Sequence, residues 1–154
     1  MWTWDGLFIM IIRNFKISDL DFVINIQFDS FDDPYPIGIL LDLYKHGAGF
    51  LVAQVGRIIV GYVIFWVSDD IGHIIAIAVD SRFRNMNVGS LLLEKVKYIF
   101  KRNSIKVINL EVRKSNFDAI RFYINHGFRV VDEIEEYYSD FEDGVIMQYN
   151  NSYN

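Results

Sequence analysis

The stretch Gly-His-Ile-Ile-Ala-Ile-Ala-Val-Asp-Ser-Arg-Phe-Arg-Asn-Met-Asn-Val-Gly-Ser-Leu-Leu-Leu, residues 72–93, decides how the rest of the chain is read. An apolar run rich in isoleucine predicts a strand over 72–79, buried on both faces in mid-sheet. A polar turn with Arg82 and Arg84 follows, and then a helix whose apolar stripe is Val88, Leu91, Leu92, Val96, Ile99 and Phe100. A strand feeding a helix N-terminus through a tight loop presents unpaired amide groups and the positive end of the helix dipole. Such a turn favours an anion.

Around this unit the pattern alternates. Residues 8–13 read as a first strand, and Ser18-Asp19 as the cap of a helix ending near Ser30. Asp32-Asp33-Pro34-Tyr35-Pro36 breaks the chain before a second helix over 38–45, closed by His46-Gly47. Strands over 50–54 and 58–67 flank Val55-Gly56-Arg57, a hairpin signal. A strand over 106–112 is followed by Ser115-Asn116, which caps a helix running to Asn125 with His126-Gly127 behind it. Residues 128–131 and 145–149 read as the last strands, joined by an acidic, tyrosine-rich segment. The order β-α-α-β-β-β-α-β-α-β-β predicts an α/β fold, a mixed central sheet of about seven strands with helices on both faces. The 154 residues fit one domain, 1–154, with residues 1–9 set apart as an N-terminal extension because Met10 could also start the chain.

Composition narrows the function. A hydrophobic share of 52% argues for a folded core. A formal charge of −5 argues against general nucleic-acid binding, which needs a basic footprint. The chain has no cysteine, which excludes disulfides, thiolate metal sites and a cysteine nucleophile. No apolar run approaches the roughly 20 residues that span a bilayer, and the N-terminus makes a poor signal peptide. The expectation is a soluble cytoplasmic protein with no membrane partner. His46, His73 and His126 have no metal-ligand spacing with the acids, so no metal is expected.

These residues carry a resemblance. Arg84-Asn85-Met86-Asn87-Val88-Gly89 resembles the Gln/Arg-x-x-Gly-x-Gly/Ala loop of the GCN5-related N-acetyltransferases. Leu110-Glu111-Val112-Arg113, Ser115-Asn116, Ala119-Ile120, Phe122-Tyr123, Gly127-Phe128, Tyr137-Tyr138 and Glu142-Asp143-Gly144 are similar, in order and spacing, to the ribosomal-protein-alanine and amino-terminal acetyltransferase branch. Residues 30–36 resemble the first helix-to-helix loop of archaeal members, and Gly72-His73 fits that group as well.

The resemblance implies transfer of an acetyl group from acetyl-CoA to the α-amino group of a protein N-terminus, by direct attack in a ternary complex. Nascent chains or a ribosomal protein would be targets, and the enzyme a monomer or weak dimer. The implied cofactor site comprises Ile77, Ala78 and Val79, whose backbone would pair with the pantetheine arm, and Arg84, Asn85, Met86, Asn87, Val88, Gly89 and Ser90 around the pyrophosphate. Asn116 would contact the cofactor or act only as a helix cap, and both can hold.

Glu111 is the candidate base. Leu110 and Val112 face one side of the sheet and leave Glu111 on the other. Tyr123 would contact the cofactor and protonate the departing thiolate; its alternative is a core tyrosine. His73 is a second candidate base, or a structural histidine at a strand start. Asp33, Tyr35, Tyr137 and Tyr138 would line the peptide groove. The alternatives are a small-amine acetyltransferase, against which the Glu111–Tyr138 series argues, and a non-catalytic CoA-binding subunit. Only Asn87, standing where the family has glycine, favours the latter, and asparagine is one of the few residues that readily replaces glycine in left-handed backbone.

Overall fold

The computed structural model describes residues 2–4 and 8–153. Its strands are β1 (Trp2–Trp4), β2 (Phe8–Asn14), β3 (Gly49–Val55), β4 (Ile58–Ser68), β5 (Ile71–Val79), β6 (Val107–Arg113), β7 (Arg129–Ile134) and β8 (Gly144–Asn150). The α-helices are α1 (Leu20–Ser30), α2 (Ile37–Lys45), α3 (Val88–Arg102) and α4 (Phe117–Asn125). The strands hydrogen-bond in the order β1-β2-β3-β4-β5-β6-β8-β7. The expected element order holds, with one addition. Of the segment set apart as an extension, Trp2–Trp4 pairs antiparallel with β2 through Trp2↔Met10, while residues 1 and 5–7 lie outside the described residues.

The chain divides into two compact units, Met1–Trp66 with Ala76–Lys97, and Val67–Ile75 with Tyr98–Asn154. In the first unit, β2, β3 and β4 form an antiparallel meander. Residues 59–65 of β4 are buried without a break, so both faces of this strand are covered. Val23 and Ile26 of α1, Leu40 of α2, and Val88, Leu92, Leu93 and Val96 of α3 complete the core. The expected Ser18-Asp19 cap is not formed: Ile17–Asp19 is a 3-10 turn, and Asp19 turns inward. Its carboxylate accepts from both Arg13 Nη atoms at 2.8 and 2.9 Å and from the Lys16 amide at 2.8 Å, tying α1 to β2. The pairing with Arg13 holds that carboxyl below the usual range.

In the second unit the start of β5 runs parallel to β6, with His73 opposite Asn109. β6 pairs antiparallel with β8 over its whole length, and β8 with β7. The expectation that β5 is buried on both faces is corrected here. Gly72, Ile74, Ala76 and Ala78 are buried, but His73, Ile75, Ile77 and Val79 are half-open. β6 alternates likewise, with Ile108, Leu110 and Val112 inside and Asn109, Glu111 and Arg113 on the open side. Side chains alternate across a pleated strand, so one face can stay wet however apolar the residues on it.

Two close approaches seat α3. A Cβ on Gly61 would lie 3.0 Å from Val88 Cγ1, 3.1 Å from Leu92 Cδ1 and 3.2 Å from the Ala78 carbonyl, so the first turns of the helix rest directly on β4. A Cβ on Gly72 would meet the Phe100 ring at 2.9 Å, so the last turns rest on β5 in the same way. Gly61→Ala is expected to lower stability by about 1–3 kcal/mol, because the helix and a backbone carbonyl must both yield to the added methyl. Denaturant unfolding at constant m-value checks this.

Candidate active site

In the first unit, β5 ends in a turn built by its own side chains. The Asp80 amide bonds to the Val60 carbonyl at 2.8 Å, and its carboxylate caps the Ser81–Phe83 turn by accepting from the Arg82 amide at 2.9 Å. The Arg82 guanidinium closes on the same carboxylate at 3.1 and 2.9 Å and depresses its pKa, so the Arg82 charge is neutralised locally. Arg84 differs. It donates to the Val79 carbonyl and the Ser30 hydroxyl, each at 3.2 Å, and both acceptors are neutral. Its positive charge is therefore offset by neither of these bonds.

The loop then turns left-handed twice. Asn87 has φ 64°, the geometry expected of a residue replacing glycine there, and Asn85 has φ 62°. The second of these was not anticipated from the sequence. Met86 lies exposed between them, and α3 begins at Val88 with Leu91 donating to the Asn87 carbonyl at 3.0 Å. Val88 is buried under the helix, while Gly89 and Ser90 are half-buried in its first turn. Asp33 and Tyr35 lie exposed in the α1–α2 loop, which Gln27 pins from beneath by donating to the Tyr35 carbonyl at 2.8 Å. Gln27 itself is fully buried.

In the second unit, the two candidate bases meet. His73 Nε2 lies 2.8 Å from Glu111 Oε2, and the side chains are 37% and 25% exposed. The parallel register makes this possible: His73 stands opposite Asn109, and the next open-face residue of β6 is Glu111. The hydrogen bond to Glu111, reinforced by the carboxylate charge and opposed by burial, raises the His73 pKa. A raised histidine pKa stabilises the fold fully below the unfolded value, and that contribution is lost as pH rises through the folded value.

The other residues of this unit are distributed as follows. Asn116 Oδ1 accepts from the Ala119 amide at 3.2 Å, so its helix-capping role is realised. Tyr123 is only 7% exposed, packed edge-on between Phe122 and Phe128 with ring centroids 5.2 and 5.5 Å away. Burial pushes its phenol pKa upward, so it stays protonated at neutral pH. Tyr137 and Tyr138 stack obliquely, 5.0 Å between centroids, and Tyr137 is raised first by burial and then by the charge of Glu111. The ionic cluster of Arg113 with Asp140 and Glu142 was not anticipated as a unit. Its one sequence signal is that Arg113 shares a strand face with Glu111.

One unit thus holds a half-open histidine–carboxylate dyad and a buried tyrosine that stays protonated. The other unit holds a left-handed loop at the start of a 15-residue helix. The profile of the acetyltransferase (GNAT) family matches residues 16–128. The chain belongs to that family of N-acetyltransferases. It is 37% identical over 140 residues to an uncharacterized N-acetyltransferase of Methanocaldococcus jannaschii, covering 90% of each chain. It is 34% identical over 150 residues to an N-alpha-acetyltransferase of Sulfolobus acidocaldarius, covering 88% of this chain and 89% of that one. The crystal structure of Ard1 from Thermoplasma volcanium superposes with a TM-score of 0.88 at 31% identity, covering 92% of this chain and 97% of that one.

Two outcomes are expected of the site. The His73 ring titrates above the ordinary histidine value of about 6.5, and Glu111→Gln moves it down; NMR titration of the ring protons reads both. Asn87→Gly leaves stability unchanged or raises it by up to about 1 kcal/mol, while Asn87→Val lowers it by about 1–2 kcal/mol in denaturant unfolding.

Proposed function

We propose that the chain acetylates the α-amino group of a protein N-terminus with acetyl-CoA, by direct attack in a ternary complex. The observation that carries this reading is the His73–Glu111 dyad, 2.8 Å across on the open face of β5 and β6. An α-ammonium must lose its proton before it can attack a thioester. Its pKa of about 7.7–8.0 is far below the value of about 10.4 for lysine, so a base titrating near neutrality suffices. The dyad is the candidate for that role, its imidazole made a stronger proton acceptor by the bond to the carboxylate, with the proton leaving the amine for the imidazole–carboxylate pair directly or through one water. Tyr123, kept protonated by burial, is the candidate donor to the leaving thiolate, although the same burial makes its phenol a weaker acid.

The residues present fit the acetyl donor. Ile77, Ala78 and Val79, the last residues of β5, would offer their backbone for strand-like pairing with a pantetheine arm. The left-handed pair Asn85 and Asn87, with Met86 between them, turns the loop into Val88, Gly89 and Ser90, where helix-opening amides and dipole favour phosphate. Arg84, paired with neutral acceptors, adds charge. Asn116 retains its amide nitrogen for a further contact beside its capping oxygen. When bound, acetyl-CoA supplies an activated acetyl thioester.

Asp33, Tyr35, Tyr137 and Tyr138 would receive the peptide. The relatives support a peptide amine over a small one: the Sulfolobus acidocaldarius protein is named an N-alpha-acetyltransferase. Asn87 gives a non-catalytic reading no support, because it adopts the left-handed geometry that the family's glycine allows. No helix among the described residues is long and apolar enough to cross a membrane. Nascent chains or a ribosomal protein in the cytoplasm, met by a monomer or weak dimer, form the setting that suits this chemistry.

The test is a panel of short peptides differing at residue one, each with a free and an amino-blocked version carrying a lysine, incubated with acetyl-CoA while CoA release is followed. Turnover of the free peptides alone is expected. In wild type kcat/KM rises with pH through the raised His73 value, and Glu111→Gln lowers kcat by about 10²–10⁴-fold with little change in acetyl-CoA affinity. Acetylation of small amines only, or tight binding without turnover, would overturn the reading.

A further inference from the structure

Arg113 stands on the open face of β6, two residues beyond Glu111, with its side chain 17% exposed. Its Nη1 donates to both oxygens of Asp140, each at 2.9 Å, and to Glu142 Oε1 at 3.0 Å. Its guanidinium carbon lies 4.2 Å from the centre of the Tyr138 ring, a stacked cation–π contact. Glu142 is held from a second side, accepting from the Ser115 amide through Oε2 at 3.1 Å.

These bonds close a loop that the backbone alone would not favour. Between β7 and β8 the chain turns left-handed at Glu136, φ 50°, and at Phe141, φ 67°, neither of them glycine. The Tyr138 amide bonds to the Glu142 carbonyl at 3.1 Å, the Phe141 amide to the Tyr138 carbonyl at 2.9 Å, and the Glu136 amide to Asp143 Oδ1 at 3.0 Å. The loop is thus a compact turn gathered around one guanidinium. Gly144, the register partner of Arg113, receives the Tyr137 side chain, whose Cβ would lie 3.1 Å from a Cβ there. The phenol of Tyr137 in turn senses the Glu111 charge. Arg113 therefore connects, through Asp140, Glu142 and Tyr138, to the stacked Tyr137–Tyr138 pair.

We infer that Arg113 is a positioning residue: it clamps the 137–143 loop through Asp140, Glu142 and the Tyr138 ring, and so holds the Tyr137–Tyr138 lip that grips the first residues of a peptide. The assignment rests on the peptide-acetylation reading above. The clamp touches neither the transferred proton nor the acetyl group, so its removal acts on peptide binding more than on the chemical step. A lysine keeps the charge but loses the planar group that stacks on Tyr138 and holds two carboxylates together.

The experiment is steady-state kinetics of Arg113→Met and Arg113→Lys with a free-amine peptide, alongside amide hydrogen exchange. Arg113→Met is expected to raise peptide KM about tenfold, with kcat within about threefold of wild type and the KM for acetyl-CoA unchanged; Arg113→Lys falls between. Exchange at the Tyr138 and Phe141 amides accelerates in Arg113→Met while the β6 amides keep their protection. If that variant does not fold, Asp140→Asn loosens the same clamp without touching β6, and should give the same pattern to a smaller degree. Unchanged peptide KM in the folded variants, or equal changes in kcat and both KM values with protection lost throughout, overturns the assignment. A wild-type chain that acetylates no peptide overturns the substrate reading alone. Loop exchange that Arg113→Met leaves unchanged overturns the clamp itself.

Discussion

Everything at the site depends on β5 and β6 keeping one face out of the core. Both strands alternate residue by residue between buried and half-open positions. The buried set, Ile74, Ala76 and Ala78 on β5 with Ile108, Leu110 and Val112 on β6, anchors the strands. The other set can then carry groups that a core would not tolerate. An ionised carboxylate sealed in an apolar interior would be neutralised or strongly penalised. Glu111, a quarter exposed, keeps contact with solvent, and its bond to His73 fixes the direction in which the carboxylate points. The parallel pairing His73↔Asn109 turns two residues 38 positions apart into one dyad.

The other constraint is where α3 begins. Gly61 removes the side chain that would hold Val88 and Leu92 away from β4, and Gly72 does the same for Phe100 on β5. The first contact lies in one unit and the second in the other, and each seats its own turns of the helix. The turn feeding the helix must then cover a set distance, and it does so with left-handed geometry at Asn85 and Asn87. Asparagine tolerates that geometry at modest cost, where a β-branched residue would not.

The sequence was most readable where periodicity and local chemistry agree. The alternation of elements, the boundaries of α3 and α4, and the Asn116 cap follow from apolar spacing and capping residues, which act over a few positions. The two-face burial expected of β5 fails for a physical reason: Ile75, Ile77 and Val79 are as apolar as their buried neighbours, so composition cannot tell the wet face from the dry one. Ser18-Asp19 has the form of a cap, but Arg13, six residues before Asp19, draws the carboxylate inward instead. Glu111 and His73 are each visible as titratable groups in apolar strands, yet only strand register reveals them as partners. The Arg113–Asp140 pair spans 27 residues, and the strand face that Arg113 shares with Glu111 does not reveal its partner.

That partnership changes the question of which group is the base. Two titrating groups 2.8 Å apart do not release protons independently, and a proton taken from an amine would be held by the pair rather than by one member. The carboxylate raises the affinity of the imidazole for a proton, which makes His73 a better acceptor but lowers the share of the unprotonated form at a given pH. The two effects oppose each other, and the balance is most favourable when the pair titrates close to the amine it serves. An α-amino group, at about 7.7–8.0, asks for a weaker base than a lysine at about 10.4. On the proposed reading, a base of this modest strength would serve a chain terminus more readily than a lysine side chain.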